Sequence, residues 1–195
     1  MFTPSRVLGI VGLGLGLALY AAAQPAPKPP RPAVAAILKL ADDLDGKDVP
    51  LRARKIVEEH DSCSISQVFT LGQRGGAGVG SAVKAGHKDS IEDLVRNWSG
   101  SRPPTREELQ THQKDLLRVA RVVQAMAEVA PFRVVIYVPK EDKKKAEEWR
   151  KVSADFKVVA RAFRDGIEKA APAEARKAAV RLQRTCSSCH QLVGL

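Results

Sequence analysis

Residues 172–192 read "PAEARKAAVRLQRTCSSCHQL", and this stretch decides both the kind of fold and where its chemistry lies. Pro172 lacks the N–H that a first helical turn leaves unbonded, so it suits a helix start. From there Ala175, Ala178, Ala179, Leu182, Cys186 and Cys189 recur at steps of three and four, the spacing that stacks side chains on one helix face. The stripe predicts a helix over about 172–192 that packs on other helices and carries both thiols on its inward side. His190 follows Cys189 directly and completes C-x-x-C-H at residues 186–190. Three chemistries use such a group: a covalently attached haem, a redox-active disulfide, or part of a zinc site.

The whole chain supports a helical reading. Its 195 residues suffice for one domain with a proper core. Hydrophobic residues make up 44% but aromatic ones only 5%, which leaves Leu, Val and Ala as core material and favours helices over a β-sandwich. Lys and Arg number 32 against 22 Asp and Glu, for a formal charge of +10. That balance attracts acidic partners. The basic residues alternate with acids along helical stretches and no nucleic-acid motif accompanies them, so nucleic-acid binding is not expected.

The first 23 residues read as an export signal. Arg6 gives a positive start, "VLGIVGLGLGLALY" (7–20) is an apolar run, and Ala21, Ala22 and Ala23 offer a small-residue site with cleavage expected after Ala23. The competing reading is an uncleaved membrane anchor, since residues 7–23 lie at the lower edge of what spans a bilayer. Either way the folded part is expected in the periplasm or otherwise outside the cytoplasm, where unpaired thiols tend to oxidise. "QPAPKPPRP" (24–32) holds five prolines in nine residues and reads as an extended linker before a single domain at 33–195.

Residues 33–61 read as weak helix, with Ala36, Ile37 and Leu40 on one face and Ala53, Ile56, Val57 and His60 on another after a turn at 45–50. Residues 62–87 read as irregular. Within them Gly75 and Gly80 have the spacing of a phosphate-binding loop, but Ser81 stands where that motif requires Lys and no buried strand precedes it. A mobile turn that needs positive φ is the expectation there.

The second half is more regular. Thr105 with Glu108 makes a capping box, and Leu109, Leu116, Val119, Val123, Met126 and Ala130 predict a helix over about 105–130. "FRVVIYV" (132–138) reads equally as a strand or a packed loop. A long helix over about 141–170 follows, its stripe formed by Trp149, Val152, Phe156, Val159, Phe163 and Ile167.

The motif's three chemistries can now be weighed. Haem attachment needs two thiols for two vinyl groups and a histidine immediately after, and Cys186, Cys189 and His190 meet that need. A thioredoxin-like disulfide needs a strand-to-helix junction, and none surrounds residue 186. Zinc needs four ligands; even with Cys63 added, the fourth is missing. One covalent haem c is therefore the expected cofactor.

The chain resembles the class II c-type cytochromes, the group that includes cytochrome c prime. The likeness rests on a C-x-x-C-H on the last helix, near the C-terminus, and on Trp149 followed seven residues later by Phe156 in the penultimate helix. It covers residues 105–195 well and the earlier part only vaguely. Two features depart from it: Gln191, Leu192, Val193, Gly194 and Leu195 replace the aromatic and Arg usual after the histidine, and the N-terminal side is longer. The resemblance implies an all-α fold, an antiparallel four-helix bundle with haem on its last helix and an N-terminal extension here. It also implies thioethers at Cys186 and Cys189 and axial iron ligation by His190.

In that family the sixth iron position holds a Met from the first helix in electron carriers and is open in the c-prime type. Met126 and His60 are the weak candidates here; His112 and His87 read as rim or solvated residues, and Phe69 and Leu71 as residues that would lie over the cofactor if 62–72 pack there. Lys177, Arg181 and Arg184 could meet the haem carboxylates or an acidic partner, though ordinary solvation explains them as well. Cys63 reads as a small buried hydrophobe. The expected function is single-electron transfer between redox partner proteins rather than catalysis, with a homodimer allowed. The alternatives are a five-coordinate haem protein binding NO or CO, and a haem-free thiol oxidoreductase.

Overall fold

A computed structural model describes residues 29–80 and 88–194. The export signal, most of the proline-rich linker, His87 and Leu195 lie outside the described residues. Among those described the fold is all-α, with no strand. The chain runs through α1 (Pro32–Asp42), α2 (Val49–Glu59) and the single turn α3 (Ser62–Ser66), which continues into 3-10 turns at Gln67–Phe69 and Gly72–Arg74. After these come α4 (Ile91–Ser99), α5 (Arg106–Thr111) and α6 (Gln113–Val129), then a 3-10 turn at Ala130–Arg133 that leads into α7 (Val134–Tyr137). Two long helices end the chain: α8 (Lys143–Glu168) and α9 (Pro172–Val193).

Local chemistry explains most of the starts. Pro residues occupy the first turns of α1, α2 and α9. Ser90 accepts the Asp93 N–H to start α4, and Asp142 accepts the Lys145 N–H at 2.9 Å to start α8. Thr105 and Glu108 form the expected capping box. The helix expected over 105–130 is interrupted at one residue, His112. The "FRVVIYV" run is neither strand nor loop: no other strand exists among the described residues to pair with it, and Pro131 opens a tight helical turn instead.

The packing is antiparallel, as the short connections require. Gln113 at the start of α6 donates to the carbonyl of Glu168 at the end of α8 (2.9 Å), while Glu128 near the end of α6 meets Lys157 in mid-α8 (2.6 Å). Helix α9 reverses again, since Asp155 of α8 pairs with Arg181 of α9 and Gly166 of α8 lies against Ala175. Helix α4 packs on α9, and Trp98 stacks at a tilt on Phe163 of α8 with centroids 5.6 Å apart, a contact that contributes about 1 kcal/mol beyond its burial. On the far side α1 and α2 pack on α6 and share the same core. Arg121 ties them down by donating to the carbonyls of Ala41 and Asp42 at the end of α1.

The glycine-rich segment is anchored rather than mobile. Gly75, Gly78 and Gly80 do take positive φ, but Val79 is fully buried, its N–H bonds Asp89 at 2.6 Å, and Arg118 donates to the carbonyls of Ala77 and Gly78. Those contacts leave no phosphate cradle.

The α8–α9 turn generates two predictions. Ala170 stands at φ +46 in the left-handed position that follows a helix, with the Ala171 N–H reaching the Gly166 carbonyl at 2.9 Å. Glycine suits that position, so Ala170→Gly should stabilise the protein by about 1 kcal/mol, read as a melting temperature raised by about 2–4 °C. At Gly166 a Cβ would fall 2.7 Å from the backbone nitrogen of Ala175. Gly166→Ala should therefore destabilise by about 1–3 kcal/mol in urea unfolding, and a neutral result would contradict the close approach.

Candidate functional site

Helix α9 has two distinct sides. One stripe is Leu182, Cys186, Cys189 and Val193, with His190 one position round from Cys189. All five line a cavity of about 440 Å³, a size suited to a small organic ligand or cofactor. Nearer the turn the same stripe is Ala175, Ala178 and Ala179, buried directly against the neighbouring helices. The thiols are accordingly half-buried on a cavity wall, on the side of the helix that the stripe predicted to face inward.

The remaining walls come from five places. Helix α6 gives Val123 and Met126, and α8 gives Trp149 and Phe156, all four buried. Helix α4 gives Ile91, Glu92 and Val95. The α3 region gives Cys63, Ser66, Gln67, Phe69 and Thr70, and the corner before α8 gives Arg133 and Tyr137. Cys63, Ser66, Glu92, Ser187 and His190 are exposed while lining it, which puts its mouth between α9, α3 and α4. Trp149 is fixed by donating from Nε1 to the Ala130 carbonyl at 2.9 Å and by Tyr137 packed at 5.5 Å.

The sequence candidates divide cleanly. Cys186, Cys189, His190, Met126 and Phe69 come together here; His60, His112 and Leu71 are not among the lining residues. Cys63 is exposed at the mouth instead of buried, because the one-turn helix that carries it, capped by Asp61, turns it outward. Lys177, Arg181 and Arg184 sit on the other side of α9. Arg181 pairs with Asp155 at 2.7 Å, and the Thr185 hydroxyl lies 3.1 Å from the same carboxylate. None of these three cations reaches the cavity; Arg133, which periodicity did not flag, does. Helix α4 was also missed, although Ile91, Leu94, Val95 and Trp98 have helical spacing behind the Ser90 cap.

Electrostatics bear on what the thiols can do. Burial pushes Cys186 up to about 11, with the neighbouring Cys189 and the Glu92 carboxylate adding to the effect. Burial also raises Cys189, opposed by the Arg133 guanidinium. A disulfide-exchange centre works through a lowered thiol, and here the shift runs the other way. Among the described residues no three His, Cys, Asp or Glu side chains converge as ligands of a bare ion. No helix among them is long and apolar enough to cross a membrane.

Two thiols and an adjacent imidazole are the donor set that a covalently attached haem would need. Two protonated thiols lie three residues apart with an imidazole beside them, on the wall of a cavity bounded by Phe69, Trp149 and Phe156. A half-buried guanidinium at one corner has its Nε buried and without a partner among the described residues.

The thiol shift gives a test on the haem-free chain. With Cys186 pushed up to about 11 by burial and Cys63 exposed to solvent, alkylation should mark Cys63 first. Labelling of Cys186 should rise steadily as pH is raised towards 11. Site-resolved mass spectrometry of iodoacetamide adducts checks this, and equal labelling at pH 7 would contradict it. Comparison with protein families, with curated proteins and with solved structures found no match, so what the cavity holds is inferred from its own residues.

Proposed function

We propose that this chain is an exported c-type haem protein that carries single electrons between redox partners. The observation that carries this reading is the shared wall: both cysteines and the histidine of the motif line one cavity whose other walls include Met126, Phe69, Trp149 and Phe156. Cys186 and Cys189 would hold the haem through thioethers, each S–H adding across a vinyl double bond with no net oxidation. His190 would hold the iron. The bound group would supply a one-electron iron couple.

The chain's own part is to hold, shield and tune. Trp149 and Phe156 keep water from the inner side, since both are nearly fully buried. The mouth between α9, α3 and α4 would keep a bound group within reach of a redox partner, which short-range electron exchange needs. Met126, 2% exposed and lining the cavity from α6, would be a further donor to the iron. A thioether there raises the potential and suits an electron carrier, whereas an open position would suit a gas-binding protein. Arg6 and the apolar run at 7–20 support export, the compartment in which attachment of this type takes place.

Expression with a haem-attachment system and an absorption spectrum test the proposal. A sharp reduced α-band is expected; a broad high-spin spectrum that changes with carbon monoxide would favour gas binding, and absence of haem would leave the thiol reading. Cys186→Ala with Cys189→Ala should release all haem into acid-acetone. Met126→Leu should broaden the α-band and lower the potential, and an unchanged spectrum would remove Met126 from the sixth position.

A further inference from the structure

We propose that Arg133 is the carboxylate-binding corner of this cavity and takes a carboxylate at the cofactor's edge, an assignment that rests on the haem reading above. The side chain leaves the 3-10 turn at Ala130–Arg133 and lines the cavity. One terminal nitrogen, Nη2, makes all its protein contacts: the Ser62 hydroxyl, the Ser66 hydroxyl at 3.1 Å, the Tyr137 hydroxyl at 2.6 Å, and the Ser62 carbonyl at 3.4 Å. The guanidinium carbon lies 5.1 Å from the centre of the Tyr137 ring. Nε, by contrast, is buried with no partner among the described residues.

No carboxylate among the described residues neutralises this cation. Arg52, Arg96, Arg164 and Arg181 each have an acidic partner, and Arg118 and Arg121 close on backbone carbonyls. A half-buried charge with an unused donor is costly unless something completes it. With Nη2 held by Ser62, Ser66 and Tyr137, the other terminal nitrogen, Nη1, has no protein partner among the described residues and is left to donate to a carboxylate oxygen. Elsewhere the cavity is lined largely by apolar and aromatic groups, and its lining carboxylate, Glu92, is already held by Arg96. A ligand that is mostly apolar with carboxylates on one edge matches that distribution.

The consequence is measurable as a potential. Beside Arg133 the carboxylate stays ionised in both oxidation states, so the midpoint potential should be flat with pH. In Arg133→Gln two changes are expected. The lost positive charge disfavours the reduced iron, which shifts the potential down. The carboxylate also becomes easier to protonate, more so in the reduced state, so reduction takes up a proton from solvent and the potential falls as pH rises through the carboxylate's titration. Redox titration of the haem-loaded parent and variant across pH reads both effects, while covalent attachment keeps haem loading equal. A Gln variant with the parent's potential and pH profile would overturn the assignment and leave Arg133 as a tie between α3 and α7. Should that variant not fold, Arg133→Lys carries the test: the potential should stay near the parent's while the propionate bending mode in resonance Raman spectra shifts, and an unshifted mode would count against the contact. A parent without covalent haem overturns the cofactor reading itself, visible before any variant is made.

Discussion

The structure depends on how closely α9 can approach α8. At the turn between them Gly166 gives α8 no side chain, and the backbone of Ala175 comes so near that a single added carbon would fall 2.7 Å from its nitrogen. Ala178 and Ala179 continue the contact with side chains too small to hold the helices apart. Further along, α8 presents Phe156 and then Trp149, and α9 presents Leu182, Cys186 and Cys189. The two helices meet backbone to backbone at one end and through bulky side chains at the other, and the cavity occupies the second end. A protein interior is normally filled to near-crystalline density, and the space at this end is a departure from that rule.

Helix α9 carries different chemistry on its two sides. Asp155 holds Arg181 and meets Thr185, which fixes the outer side one residue before Cys186. The cations that a reading of α9 alone suggests for anion binding are therefore turned away from the cavity. The cation that does reach the interior comes from the corner after α6, held by hydroxyls of α3 and by Tyr137. Hydroxyl partners leave its positive charge intact, whereas a carboxylate would have cancelled it.

The long helices were legible because burial over many turns imposes the 3.6-residue period on the sequence. Leu116, Val119, Val123 and Met126 on α6, and Phe156, Val159, Phe163 and Ile167 on α8, are buried as their spacing predicts. The covalent motif was legible as a unit of chemistry, and its helix as a unit of packing. The rest of the cavity was not, for a physical reason. Its outer wall is made of one-turn elements at residues 62–70 and 130–137, too short to show a period, whose conformation is set by what they pack on. "FRVVIYV" is rich in β-branched residues, yet with no strand beside it among the described residues its backbone groups are satisfied by coiling. Cys63 shows the same limit: residue type suggested burial, and a one-turn helix with no room for a stripe put it outside.

The cavity is thus bounded by two kinds of wall. Three long helices form the inner one, where each amide is backed by several turns of packed core. A single turn of helix and two 3-10 turns, fastened by buried Ile65 and Val68 and by the hydroxyls that Arg133 gathers, form the outer one. Free energies of local opening follow such differences in contact density, so amide hydrogens at residues 62–74 should exchange with solvent at a small opening cost while those of α6 and α8 wait for global unfolding. Opening of that outer wall would leave the packing of α6, α8 and α9 in place.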